Sequence, residues 1–286
     1  AYEINIRDWS SDVCSSDLAK KAGTTALANY LREHPDVVIS HPKETNFFSH
    51  HYVNGLRWLA THYEHYDGES AIGEASVWNM YAPQAAQRIQ EMIPEARLIF
   101  VLRDPVSRAF SQYWYDLRCG LIEPYRSFED VVSSPATPQE RDVIEMGFYD
   151  EQIERFVDRF DREQMLVLRS RDLQKATKGT VKRVAQFIGV DPERVPEQYE
   201  RHNQTQYVQK RGAYNAIRTV WKPVRSQVES VFPKLADKLR TTVRNIVSTN
   251  ERPDMTNAMR KQLSQIYAPH TERLTRYVDL DVSHWC

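Results

Sequence analysis

Two short stretches carry residue types that can hold a phosphorylated anion. The first is Lys21-Ala22-Gly23-Thr24-Thr25, which opens an amphipathic stretch predicted as a helix over residues 24–33. A glycine lets the backbone approach a phosphate closely, and the N–H groups at a helix start are free to bind anions. Thr24 and Thr25 add hydroxyl donors, and Lys21 adds a positive charge beside any group being transferred. The second is the apolar run 98–102 followed by Arg103-Asp104-Pro105, with Ser111 eight residues after the arginine. Pro105 suits a first helical turn, which puts Arg103 at the carboxyl edge of a sheet and Ser111 about two turns into a helix. Ligands of open α/β sheets bind at that edge, and a guanidinium with a hydroxyl suits a phosphate monoester. Each stretch alone also has a plain structural reading, as a capped helix behind a lysine and as an ion-pairing arginine.

The elements that must position these residues follow from the hydrophobic pattern. Short apolar runs predict strands over 37–39, 71–73, 97–102 and 165–168, and amphipathic stretches predict helices over 24–33, 83–92, 106–117, 149–160 and 179–188. Alternation of this kind is the signature of βαβ units, so the fold class is α/β, with a central, mostly parallel sheet flanked by helices. Residues 133–138 read as a surface loop. After Pro196 the pattern turns mainly helical and ends with a helix over 255–277, a helical C-terminal portion. One segment conflicts with this scheme. The sheet should begin with a buried apolar strand just before Lys20, yet the chain there reads Ser10-Ser11-Asp12-Val13-Cys14-Ser15-Ser16-Asp17-Leu18, two near-copies of one polar unit. Each buried aliphatic side chain lost costs about 1.5–3 kcal/mol, and four such losses rival a typical folding free energy. The expectation is that residues 1–18 are foreign to the domain, in the manner of translated adapter read-through, and that 19–286 form a single domain.

Composition narrows the function classes. The 286 residues are 41% hydrophobic and 27% charged, an ordinary globular balance that argues against disorder. No apolar run approaches the roughly 20 residues that span a bilayer, and the N-terminus lacks the apolar core of a secretory signal. Cys14, Cys119 and Cys286 show neither close pairing nor metal-like spacing, and read as free thiols in a reducing compartment, with no zinc site. The net charge of −1 conceals an asymmetry, because residues 201–250 hold ten Lys or Arg against two acids, Glu229 and Asp237. That stretch is either a solvated basic face or a surface for an anionic cofactor, an anionic glycan or membrane headgroups, which allows peripheral membrane contact. No nucleic-acid motif accompanies the charge, so a nucleic-acid partner is not expected.

Taken together, in this order and about 80 residues apart, the two anion-binding stretches resemble the family of sulfotransferases that use 3′-phosphoadenosine 5′-phosphosulfate (PAPS). The resemblance runs from about residue 19 to 189 and more weakly to the end, and it implies a P-loop-like sulfotransferase fold. It implies that Lys21, Ala22, Gly23, Thr24 and Thr25 bind the 5′-phosphosulfate, and that Arg103 and Ser111 bind the 3′-phosphate. Three further segments carry it: Pro42-Lys43-Glu44-Thr45-Asn46-Phe47-Phe48, Ile72-Gly73-Glu74-Ala75-Ser76, and Gly147-Phe148-Tyr149 with Gln152-Ile153. Gln209-Lys210-Arg211-Gly212 reads as a plain solvated basic turn, and is also similar to a late basic loop over the nucleotide, which would add Lys210 and Arg211. The Lys-Glu-x-x-Phe-Phe segment is similar to that of heparan sulfate sulfotransferases and their bacterial relatives, where the glutamate is the catalytic base. Here that residue is Glu44, and His41, His50 and His51 are rival bases nearby. Two positions depart from the pattern: Val77 replaces a common proline, and Ala75 replaces the acceptor-side lysine of the heparan branch.

The implied activity is transfer of a sulfuryl group from PAPS to a hydroxyl or amine, with a carbohydrate or glycolipid as acceptor. Lys21 and Glu44 would be catalytic. No metal is expected, because the leaving phosphate is already held by cations and N–H groups. The alternatives are a P-loop kinase or NTPase, whose motif places the lysine after the glycine, and a non-catalytic glycan-binding protein on the same fold. Asp104 would be the magnesium ligand of the kinase alternative. Trp78, Phe47, Phe48, Tyr113, Trp114 and Tyr115 either stack on sugar rings or fill core. A bacterial-type cytoplasmic location is expected, with the Golgi lumen as the alternative.

Overall fold

The computed structural model describes residues 13–15, 22–197, 207–208, 248–249 and 253–285. Continuous apolar runs such as Val37-Val38-Ile39 and Leu98-Ile99-Phe100-Val101-Leu102 suit a sheet covered on both faces. They form one: β1 (Val13–Ser15), β2 (Val37–Ile39), β3 (Ala71–Glu74), β4 (Arg97–Leu102) and β5 (Met165–Arg169) are all parallel, in the order β2-β3-β1-β4-β5. β2 and β4 match the predicted bounds, and β3 and β5 run one residue further. Because the strands are parallel, their carboxyl ends share one edge. Residues 40–46 follow β2 there, Ala75 and Ser76 follow β3, and Arg103 follows β4. β1 lies between β3 and β4, where the chain leaves to opposite sides, and the crevice at such a point is where α/β sheets bind ligands.

β1 is the strand expected before Lys20, and it comes from the polar run. Val13 pairs with Ile72, and Cys14 stands opposite both Gly73 and Arg97. Residues 1–12 and 16–18 lie outside the described residues. A central strand containing Cys and Ser forgoes aliphatic burial worth about 1.5–3 kcal/mol per side chain. If residues 1–18 are foreign to the domain, replacing Val13-Cys14-Ser15 with Val-Ile-Val should raise the melting temperature by several degrees in calorimetry. An unchanged or lower value would contradict that reading.

The helices are α1 (Thr24–Arg32), α2 (Gly55–Ala60), α3 (Val77–Tyr81), α4 (Ala85–Met92), α5 (Pro105–Cys119), α6 (Phe128–Ser133), α7 (Pro138–Glu145), α8 (Tyr149–Val157), α9 (Ser170–Lys175), α10 (Thr177–Ile188) and α11 (Asn257–Leu274). Val77 occupies the first turn of α3 after an extended Ser76, a place where the expected proline would also fit. Among the described residues no helix is long and apolar enough to cross a membrane. Backbone contacts divide the chain into two compact units: Ala1–Arg108 with Met146–Asn203 and Ser264–Cys286, and Ala109–Glu145 with Gln204–Leu263.

In the first unit the sheet core is closed by α1, which packs on β2, and by α10, which packs on α1 and β4. The Gly-Phe-Tyr segment fastens the start of α8. A Cβ on Gly147 would lie 2.7 Å from Cε1 of the fully buried Tyr267, so only glycine fits there. Phe148 stacks on His270 at 3.9 Å, and Asp150 pairs with His270 Nδ1 at 2.8 Å and accepts from Arg273 Nε at 2.7 Å. The Tyr149 hydroxyl donates to the Arg103 carbonyl at 2.9 Å and so fixes the end of β4; burial pushes its pKa well above the ordinary tyrosine value.

In the second unit Phe110, Tyr113, Trp114 and Phe128 form an edge-to-face aromatic cluster. Arg126 grips the buried Glu140 through both carboxylate oxygens, at 3.0 and 2.8 Å. A Ser127–Asp130 capping box starts α6. The loop predicted over 133–138 shrinks to the four residues between α6 and α7. Part of the stretch after Pro196, predicted as mainly helical, is instead an antiparallel pair of β6 (Tyr207–Val208) with β7 (Ser248–Thr249), residue types that favour strands.

Candidate active site

The glycine loop has the geometry its sequence suggests. Gly23 adopts φ 104° and ψ 18°, a left-handed conformation that favours glycine, and it precedes α1 without any side-chain cap. A Cβ there would also sit 3.4 Å from Leu173 Cδ2. The first N–H groups of α1, which no helix satisfies internally, suit an anion. Ala22 and Thr24 are buried beside them and Thr25 is half-buried. Lys21 lies outside the described residues, as do Lys210, Arg211 and most of 201–250.

The loop after β2 brings Glu44 to this helix start by way of its neighbour. The Lys43 side chain, 12% exposed, turns back across the carboxyl edge of the sheet. Its ammonium donates to the Ala75 carbonyl at 2.7 Å, pairs with Glu44 Oε1 at 2.8 Å and lies 3.4 Å from Thr24 Oγ1. One cation thus joins the glycine loop, the proposed base and the end of β3. The Lys43 carbonyl is fixed in turn, accepting from Ser40 Oγ at 2.9 Å and from the Ala75 N–H at 3.3 Å. Burial pulls the Lys43 pKa below the ordinary lysine value, and the carboxylates of Glu44 and Glu74 oppose that pull.

Behind this cation stands Glu74, 4% exposed at the end of β3. Its Oε1 accepts from the hydroxyls of Thr45 and Ser76, and its Oε2 accepts from Asn79 Nδ2 at 2.8 Å. Burial pushes its pKa above the usual carboxylate range, against the pull of those three donors and of Lys43. Ser76 Oγ also accepts from the Asn46 N–H at 2.8 Å. Thr45 and Asn46, the two residues after Glu44, are therefore anchored to the end of β3 through one buried carboxylate. Sequence reasoning missed the roles of Lys43 and Glu74. Both sit inside motifs it singled out, but contacts spanning 19 to 32 residues leave no local signal.

The rival bases make other contacts. His41 is exposed, and its N–H donates to the His62 carbonyl at 2.8 Å. His50 and His51 end a π-type turn, Phe47–His51, whose Phe48 and Ser49 carbonyls are held by Arg88 and Gln84. The His50 ring meets Ser49 Oγ and the edge of Trp78, and His51 lies against Trp58. Of the six aromatic residues considered for sugar stacking, Phe47, Phe48, Tyr113 and Trp114 are core, while Trp78 and Tyr115 are only half-buried.

Arg103 is half-buried at the carboxyl end of β4, as expected, and Ser111 is buried two turns along α5, in the second unit. Asp104 turns its carboxylate onto its own helix. Its carboxylate accepts from the N–H groups of Val106 and Ser107 at 3.1 and 3.2 Å and from Ser107 Oγ at 2.5 Å, capping α5.

Comparison with known proteins bears on the family and the fold. The chain is 37% identical over 132 residues to the membrane-associated sulfotransferase kil1 of Dictyostelium discoideum, a match covering 44% of this chain and 27% of that protein. It is 31% identical over 175 residues to heparan sulfate glucosamine 3-O-sulfotransferase 3B1 of Mus musculus, covering 60% of this chain and 44% of the relative. The matches thus span less than half the length of these curated relatives. The fold resembles a sulfotransferase from Alicyclobacillus acidocaldarius, with a TM-score of 0.68 at 23% identity over 96% of this chain and 98% of the other. Residues 19–276 match the sulfotransferase domain, and the chain belongs to that family.

Proposed function

We propose that this chain transfers a sulfuryl group from PAPS to a hydroxyl or amine of a carbohydrate or glycolipid acceptor. The observation that carries the reading is the Lys43 ammonium, which lies within 3.4 Å of both Thr24 on the glycine loop and Glu44. A donor on that loop and an acceptor at that carboxylate would meet across a single cation. The similarity to heparan sulfate enzymes supports a sugar acceptor. Free and exposed, Cys119 fits the reducing, cytoplasmic setting proposed for the enzyme.

The reaction is an in-line displacement at sulfur. Glu44 takes the proton of the acceptor O–H or N–H as the acceptor atom forms its bond to sulfur. The bond between sulfur and the bridging oxygen breaks, and its electron pair leaves with the 5′-phosphate. Lys21 and the N–H groups at the start of α1 stabilise the charge that collects on that phosphate, while Arg103 and Ser111 hold the 3′-phosphate. The parallel with phosphoryl transfer, where position and electrostatics supply most of the rate, is an analogy. The test is a thermal titration. The product nucleotide 3′-phosphoadenosine 5′-phosphate (PAP) should raise the melting temperature more than ADP does, with or without magnesium. The reverse preference would favour the kinase alternative.

A further inference from the structure

We propose that Lys43 is a second cation of the donor site, one that grips the sulfuryl group itself while it passes from the 5′-phosphate to the acceptor. The inference rests on the reading of the site as a sulfuryl-transfer centre and adds a residue to it. An ammonium carries three N–H donors and no acceptor. Two of the Lys43 donors are well used, at 2.7 Å to the Ala75 carbonyl and 2.8 Å to Glu44. The third meets Thr24 Oγ1 at 3.4 Å, a long contact to a neutral oxygen. An anionic oxygen at the glycine loop would replace that weak contact with a charge-assisted one.

Position decides which part of the donor this is. Thr24 marks the side of the leaving phosphate and Glu44 marks the side of the incoming acceptor. The group in transit must pass between them, and the Lys43 ammonium touches both. The side chain is also preorganised. Only 12% exposed, it has its carbonyl anchored by Ser40 and Ala75, and the buried Glu74 contributes a second negative charge behind it. Lys43 brings a cation to the Ala75 carbonyl from the loop that follows the neighbouring β2. Throughout the transfer Lys43 keeps its protons, and the acceptor proton goes to Glu44.

The test compares two nucleotides that differ by the sulfuryl group. PAPS and PAP are titrated calorimetrically into the full chain carrying Lys43 and into Lys43→Met, Lys43→Gln and Lys43→Arg. Loss of a hydrogen bond to a charged group should weaken PAPS binding by about 10- to 100-fold in the Met variant and leave PAP affinity within about twofold. Lys43→Arg should recover much of the difference. Should the Met variant fail to fold, the Gln variant, which keeps a donor for Ala75, supports the same comparison. Equal weakening of both nucleotides, or of neither, would overturn the role given to Lys43. Failure of the unsubstituted chain to bind either nucleotide would instead overturn the sulfuryl-transfer reading beneath it.

Discussion

Glutamine at position 44 is expected to lower the turnover of sulfuryl transfer by about 100- to 10,000-fold, the usual contribution of a positioned general base. Glutamine keeps the size of the side chain and loses the ability to take a proton. Nucleotide binding should survive, because among the described residues Glu44 reaches the glycine loop through Lys43. Releasing Lys43 from its ion pair should if anything tighten the donor. Turnover and nucleotide affinity therefore have to be measured separately, by initial rates and by calorimetry. Near-normal turnover in Glu44→Gln would remove Glu44 as the base and direct attention to His50 and His51. Loss of nucleotide binding along with turnover would show that Glu44 builds the pocket instead of serving the chemistry.

The largest effect on stability is expected at Glu74. Glu74→Ala leaves the hydroxyls of Thr45 and Ser76 and the amide of Asn79 without their buried acceptor. Each orphaned group costs about 1–3 kcal/mol, and breaking a buried charged cluster typically costs about 3–5 kcal/mol in all. Against a total stability of about 5–15 kcal/mol this is a severe loss, read as a fall in the urea midpoint. Glu74→Gln, which keeps the shape, should lose far less and should change the pH dependence. Burial holds the folded-state pKa of Glu74 above its unfolded value. Its contribution to stability is therefore complete below the ordinary glutamate range and is lost as the pH rises through the raised value. The glutamine variant should flatten the stability curve across that window. A Glu74→Ala cost below about 1 kcal/mol would mean that the cluster is not the anchor described here.

Much of the fold was legible because it is written locally. β2 and β4 are continuous apolar runs, α1 and α8 carry regular amphipathic spacing, and Pro105 and Gly189 mark a helix start and a helix end. The short helices α2, α3, α6, α7 and α9 went unread, since five to eight residues are too few to establish a period. For α6 a usable signal existed in the Ser127–Asp130 capping spacing. The glycine loop and the end of β4 were legible because glycine, arginine and proline have fixed local meanings. Glu44 stood out through its motif. Lys43 stood beside it in the same motif, yet its importance comes from a side chain that folds back to Thr24 and Ala75, which only the tertiary structure reveals. The same holds for the aromatic residues. Composition cannot separate the core Phe47 and Phe48 from the half-buried Trp78, whereas the burial of each side chain does.

The central claim is that the glycine loop and the end of β4 form a site for a 3′-phosphorylated adenine nucleotide, and thermal titration with PAP tests it most directly. At 100-fold excess over its dissociation constant a ligand adds about 2.7 kcal/mol to stability, which is a melting shift of several degrees. The account predicts that shift with PAP, a much smaller one with ADP whether or not magnesium is present, and loss of the difference in Arg103→Ala and Ser111→Ala. A larger shift with magnesium and ADP than with PAP, or a PAP shift that persists in both variants, would contradict it.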